Sequence, residues 1–473
     1  MATAERPHEL SLPHPGWAEH DAEGVWWADF VSICRELLEE ADDRIAAVCT
    51  SGIGACLLPA DEEGQPLRPA ILYGIDTRAT REIEELNERY GRETLLGRCG
   101  SVLTTQAIGP KLLWLRRNEP EVWEKARKFF MANSFISYRL TGEYVLDHHS
   151  ASQCDPLYDV HSYYWIDEWA EEIAPGLPLP RLLWPAEVVG EVTQQASEAT
   201  GIPTGTPVAA GTIDAWSEGA SVGVQKPGDL MLMYGTTMFM IEVLSEPLNH
   251  PGLWGNTGIL PNTHNLAAGM ATSGALTSWL KKISDDLPYE RLTEEAANVR
   301  PGSDALVVLP YFAGERTPLF DPRARGLISG LTLSHGRAHL YTAMLEATAY
   351  GVRHIFEFMH DAGGGGERLV AVGGGTKGGL WTQIVSDVTG SAQDLPEQTI
   401  GASYGDALLA ARSIGLADPD TDWSKISETV EPDEQNRGIY DELYHIYRDL
   451  YSATREQVHK LAVLQKGGRD TVA

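Results

Sequence analysis

The sequence predicts an α/β protein built as two lobes. Three observations carry this. The 473 residues exceed what one core organises, and ~150 residues per domain implies two or three domains. Short apolar runs, many ending in glycine, alternate with helical stretches along the chain. The texture then changes between Val224 and Gly228, where a hairpin pattern begins. One lobe is therefore expected in residues 1–223, a second in 228–416 and a helical tail in 417–473.

The first half mixes helices with short strands. VWWADFVSICRELLEEA is amphipathic and reads as a helix, and RIAAVCTSGIGACLLPA as two apolar runs around a Gly/Ser break. ATREIEELNERYG is a charged helix. KLLWLRRNEPEVWEKARKFFMANSFISYRLTG is expected to be helical throughout, with a break near Pro120. Asp155 to Pro185, rich in Trp, Tyr and Pro, reads as irregular with short helices, and TGIPTGTPVAAGTIDAWSEGASVG as turn, strand and helix.

Beyond the boundary, GDLMLMYGTTMFMIEVL is two strands joined by a tight turn. A helix (GALTSWLKKI), a strand (ALVVLPYFAG) and a long helix (RAHLYTAMLEATAYGVRHIFEFMHDA) follow. Then comes LVAVGGGTKGG, a strand breaking into a glycine turn, and a helix from Leu380. The terminal stretch from Arg437 carries tyrosines at helical spacing, a packing stripe rather than a ligand box.

A net charge of −30 argues against nucleic acid or an anionic membrane as partner. Cys34, Cys49, Cys56, Cys99 and Cys154 are odd in number, scattered and without a C-x-x-C pair, which favours a reducing cytoplasm over a disulfide framework or zinc site. No apolar run approaches the ~18 residues of a membrane span.

Three features bear chemistry. Asp214 in AAGTIDAWSEG follows an apolar strand at the start of a helix: an N-cap, or a general base held at a strand's end. Gly235-Thr236-Thr237 at the hairpin tip is either a plain turn or a cradle of N–H groups and hydroxyls for phosphate oxygens. Gly373, Gly375 and Gly378 satisfy G-x-G-x-x-G with Asp394 downstream, which invites a dinucleotide reading; a structural turn fits equally well. A dehydrogenase fingerprint belongs in a first βαβ unit, whereas this one comes after residue 370.

In their order, HPGWAEHDAEGVWW, LRPAILYGIDTRA, KLLWL, YRLTGEYVLDHHSAS, GTIDA, YGTT, LPYFAGERTPLFDPRARGLISGL, LYTAMLEATAYGVR, VAVGGGTKGGLWTQIVSDVTG and GASYGDALLAA resemble the FGGY carbohydrate kinases, xylulokinase-like members in particular. The resemblance implies two actin-like (ribonuclease H-like) ATPase lobes with a cleft between them. It also implies transfer of the γ-phosphate of ATP, with Mg²⁺, to a terminal hydroxyl of a small ketose such as a pentulose, or a related polyol. Carried over, Asp214 is the catalytic base and contacts the sugar. Gly235, Thr236 and Thr237 line the phosphates, Gly274 is a small residue beside the nucleotide, and Gly374, Gly375 and Thr376 take the adenosine end of ATP. Tyr73, Asp76 and Arg78 match sugar-proximal positions, or Asp76 and Arg78 form a structural pair. Glu315 and Arg316 match a signature near the cleft, or an ion pair. No metal ligand is assigned, and a homodimer is compatible with the resemblance.

Two departures stand out. SGIGAC, Ser51 to Cys56, replaces the S-G-Q-M-H-G of xylulokinases, so Ile53, Gly54 and Ala55 leave the sugar pocket with fewer polar partners and more room. The family's N-terminal D-x-G-T hairpin has no counterpart before HPGW, so the first lobe is expected to be N-terminally incomplete, with open sheet edges and apolar surface. The alternatives are a catalytically impaired sugar- or nucleotide-binding remnant and, last, an NAD-dependent oxidoreductase.

Overall fold

The computed structural model describes residues 2–40, 44–398 and 400–467. They form two units. Unit 1 comprises residues 1–225, 244–265 and 400–423; unit 2 comprises 226–243, 266–399 and 424–473. The chain therefore returns twice to unit 1, at crossings with no local signal in the sequence.

Unit 1 is a set of short pairings around a core. Ser51–Gly52 runs parallel to Thr212–Ile213, and Val48 bridges Val208 in the same direction. Leu58–Ala60 pairs antiparallel with Lys128–Phe130. That second strand corrects the expectation of helix between the break near Pro120 and Gly142: the helix closes at Trp123, and a new one starts at Ala132. Phe129 and Phe130 are buried, and pairing across the core overrides the helical propensity of the Lys/Arg/Glu-rich flank. Leu58, Phe130, Phe135, Leu140, Ile202 and Val208 belong to one core cluster.

Helix Ala28–Glu40 contributes no fully buried residue. With Ile45 and Val48 it borders an apolar hollow of about 410 Å³, also lined by Phe30, Leu38 and Ile202.

In unit 2, six strands of a seven-stranded sheet follow one another: His264–Met270, Met238–Leu244, Asp229–Tyr234, Arg368–Val372, Gln393–Pro396 and Ile426–Val430, in that order. Asp229–Tyr234 and Met238–Leu244 form the expected hairpin, closing at the pair Tyr234–Met238. Arg368–Val372 runs parallel to Asp229–Tyr234, placing the glycine turn beside the hairpin tip. The long helix Arg337–Asp361 buries Met344, Ala347, Tyr350 and Ile355. Tyr440 and Tyr447 of the terminal helix are buried as well, and Tyr311 donates to the Tyr447 hydroxyl at 2.8 Å, so the tyrosine stripe packs.

Among the described residues no helix is long and apolar enough to cross a membrane. All five cysteines are unpaired, and burial pushes the Cys34 and Cys56 thiols up to about 12.

Candidate active site

Asp214 opens helix Asp214–Ser221, directly after the strand Thr212–Ile213. It is not the N-cap, a place taken by Ile213. Its Oδ1 accepts the N–H of Ala215 at 2.7 Å. Burial raises its pKa from 3.8 to about 6. A carboxylate at this value is mostly ionised at neutral pH, yet basic enough to take a proton from a hydroxyl.

Asp214's helix packs against helix Ala402–Ser413. A Cβ at Gly405 would lie 1.8 Å from the Ser217 carbonyl oxygen, so only glycine permits this approach. The next residue, Asp406, is buried and accepts from Ser51 and Ser217. Sequence reasoning missed Asp406. Its signal was an acid inside the small and apolar run GASYGDALLAA.

The loop Ser51 to Cys56 lies against the same strand. A Cβ at Gly54 would meet Ile213 Cγ1 at 2.5 Å, so Ile213 occupies that space and the expected extra room is not gained there. Ala55 and Cys56 are fully buried.

Tyr73, Asp76 and Arg78 share one loop of unit 1. Asp76 accepts the N–H of Ala18 at 2.7 Å and binds the Arg78 guanidinium through both oxygens, at 2.7 and 3.0 Å. The side chains of this pair are sealed from solvent, and Arg78 also meets Glu19 at 2.8 Å. The guanidinium lies 3.9 Å from the Trp17 ring centroid. Tyr73 is partly exposed, its carbonyl accepting from the Asp76 N–H at 2.9 Å. Lys111 is buried nearby; its Nζ donates to the Thr105 carbonyl at 2.8 Å, and burial lowers its pKa to about 8.

Unit 2 brings three turns together. The hairpin tip closes with Gly235 N–H donating to the Thr237 carbonyl at 3.1 Å. The amides of Ser273 and Ala275 donate to the Thr236 carbonyl, and that of Gly274 to Gly235 at 2.9 Å. A Cβ at Gly274 would lie 2.6 Å from the Gly235 carbonyl oxygen. Gly373 has φ +94°, and its Cβ would lie 2.7 Å from the Tyr234 carbonyl oxygen. After it, Gly374–Thr376 forms one 3₁₀ turn, with the Thr376 hydroxyl donating to the Gly373 carbonyl at 2.9 Å. A cavity of about 640 Å³ opens beside it, lined by Thr376, Gly378, Gly379, Gln383, Thr429 and Glu431.

Two further candidates resolve differently from the sequence. Asp394 is bound to the Arg368 guanidinium at 3.1 Å and the Thr429 hydroxyl at 2.8 Å, so it serves the sheet rather than a ribose. Glu315 accepts the backbone N–H groups of Ala271 and Arg316, at 2.8 and 2.7 Å, and burial raises it to about 7.

Residues 1–219 match the N-terminal domain of the FGGY family of carbohydrate kinases and residues 230–414 its C-terminal domain. Xylulose kinase of Escherichia coli is 28% identical, over 93% of this chain and 92% of that protein. Glycerol kinase of Thermococcus gammatolerans is 30% identical, over 92% and 90%. The crystal structure of xylulose kinase from Rhodospirillum rubrum superposes with TM-score 0.88 at 32% identity, covering 96% of this chain and 94% of that one. The two-domain fold is thus the actin-like, ribonuclease H-like one expected from the sequence, and the chain belongs to the FGGY family of carbohydrate kinases.

Proposed function

We propose that the chain transfers the γ-phosphoryl group of ATP to a terminal hydroxyl of a small ketose or related polyol. Asp214 takes the hydroxyl proton as the oxygen attacks phosphorus. The observation that carries this is a carboxylate raised to about 6 by burial, fixed at the junction of strand and helix. Relatives named xylulose kinase, gluconokinase and glycerol kinase support the acceptor class.

In unit 2, Gly235, Thr236, Thr237 and Gly274 receive the phosphates, and Gly374, Gly375 and Thr376 the adenosine end. The cavity beside Thr376 supports the latter. Mg²⁺ accompanies ATP and neutralises phosphate charge. Among the described residues no group of three or more His, Cys, Asp or Glu side chains is placed to hold a metal ion. On the acceptor side, Tyr73 faces the sugar, while the Asp76–Arg78 pair supports its loop. The unpaired cysteines suit a cytoplasmic protein.

The test is ADP release from Mg-ATP with a panel of ketoses, aldoses and polyols that includes xylulose, gluconate and glycerol. Turnover on one acceptor is expected and names the substrate. A folded, ATP-binding chain silent on every acceptor would overturn this reading in favour of an impaired remnant.

A further inference from the structure

Three segments far apart in sequence meet at one carboxylate in unit 1. Asp406 is 8% exposed, on helix Ala402–Ser413. Its Oδ2 accepts the backbone N–H of Ser51 at 3.1 Å and the Ser51 hydroxyl at 2.7 Å. Its Oδ1 accepts the Ser217 hydroxyl at 2.7 Å. Ser51 begins the loop that stands in place of the family's S-G-Q-M-H-G, and Ser217 lies three residues after Asp214 on the same helix. One acid therefore binds both the acceptor-side loop and the helix of the base.

We propose that Asp406 is a positioning residue for phosphoryl transfer, clamping the Ser51 loop and the Asp214 helix in one relation through its two oxygens. The proposal rests on the reading of Asp214 as base. A buried carboxylate is a poor choice for stability alone, because an apolar residue at a helix contact avoids its desolvation. Its three donors come from the two segments whose relation the reaction requires, not from its own helix.

The clamp also acts through charge. Burial pushes Asp406 up to about 6, and Asp214 adds to that rise. The other groups around the pair are Glu218 on the base's helix, Cys49 and Cys56 flanking Ser51, Lys111 facing Cys56, and Asp147 facing Cys49. Apart from Lys111 these are acids or thiols. Removing the Asp406 charge therefore eases ionisation of Asp214.

Hydrogen exchange on the full chain decides the matter without needing turnover. Asp406→Asn should speed exchange about 10- to 100-fold in both 51–57 and 214–221, leaving 369–380 at the wild-type rate. Ser51→Ala should loosen only the first segment and Ser217→Ala only the second; these single hydroxyls carry the test if Asp406→Asn does not fold. Unchanged exchange, or uniform acceleration across unit 1, overturns the clamp. With the acceptor that turns over, Asp406→Asn should lower kcat at constant KM for ATP and move the acid limb of kcat/KM to lower pH. Asp406→Glu, keeping the charge, should leave that limb in place. Full rate in Asp214→Asn would remove the base and leave the clamp to the exchange data. Wild-type exchange and pH limb in Asp406→Asn, beside a dead Asp214→Asn, would remove the clamp alone.

Discussion

The two units assemble their candidate residues in opposite ways. Unit 1 gathers charged side chains: Asp214, Asp406, and the Asp76–Arg78 pair, all wholly or largely enclosed by protein. Unit 2 gathers backbone: the hairpin tip, the turn at Gly274 and the glycine turn after Val372, joined by main-chain hydrogen bonds and close approaches that only glycine allows. The difference follows from the tasks proposed. Abstracting a proton needs one group whose affinity for protons is tuned, which burial achieves. Holding a polyanion needs several donors at fixed places, which turns supply without side-chain entropy. Substitutions should therefore act through charge in unit 1 and through shape in unit 2.

The largest effect is expected at Asp214. Asp214→Asn preserves size and removes the base, so kcat should fall by about 10²- to 10⁴-fold, with ATP affinity within twofold of wild type by calorimetry. In the parent enzyme, kcat/KM should rise with pH through about 6 as Asp214 ionises. A rate retained by the amide would break the comparison on the unit 1 side.

Next is Gly274→Ala. The added methyl would sit 2.6 Å from the Gly235 carbonyl, which is backbone and cannot swing away cheaply. The hairpin tip must shift, and KM for ATP should rise about 10- to 100-fold while the acceptor's own KM stays near wild type. An equal loss for both substrates would show that this turn is not specific to the nucleotide.

These two sites were legible in the sequence for different reasons. Asp214 stood out because an acid directly after an apolar strand is unusual, although its local pattern could not separate base from cap. The glycine turn stood out as a cluster, but its G-x-G-x-x-G spacing pointed equally to a dinucleotide. Only the pairing of Arg368–Val372 beside the hairpin, and the engagement of Asp394 with Arg368, separate the two. Asp406 showed only as an acid in an apolar run, and its role was not legible because its partners, Ser51 and Ser217, lie 355 and 189 residues away. The strand Lys128–Phe130 was lost for the same reason: three residues carry no period, and their partner is Leu58–Ala60.

A third test asks whether every enclosed acid behaves as those of unit 1 do. Glu346 in unit 2 is buried among the Gly302 N–H, the Ser303 hydroxyl and the Tyr440 hydroxyl, and burial raises it to about 7 from 4.5. The folded state then holds a proton that the unfolded chain has released. Its contribution to stability is full below about pH 4.5 and is lost as pH rises through about 7. Glu346→Gln should remove on the order of 2 kcal/mol of that pH dependence, seen as a flatter Tm between pH 4.5 and 7, with kcat unchanged. A slope as steep as wild type would place the proton uptake elsewhere.

The smallest effect is expected at the hairpin tip, where it is most diagnostic. Thr236 is exposed, and its carbonyl is already engaged by Ser273 and Ala275. If main-chain N–H groups hold the phosphates, the hydroxyl adds one solvent-competed hydrogen bond, worth about 0.5–1.5 kcal/mol. Thr236→Ala should then raise KM for ATP only about 2- to 10-fold, less than Gly274→Ala, although threonine is the residue with a functional group and glycine has none. A reversed order, with the hydroxyl mattering more than the shape of the turn, would mean that unit 2 binds through side chains as unit 1 does. The contrast between the units would then be one of residue type rather than of mechanism.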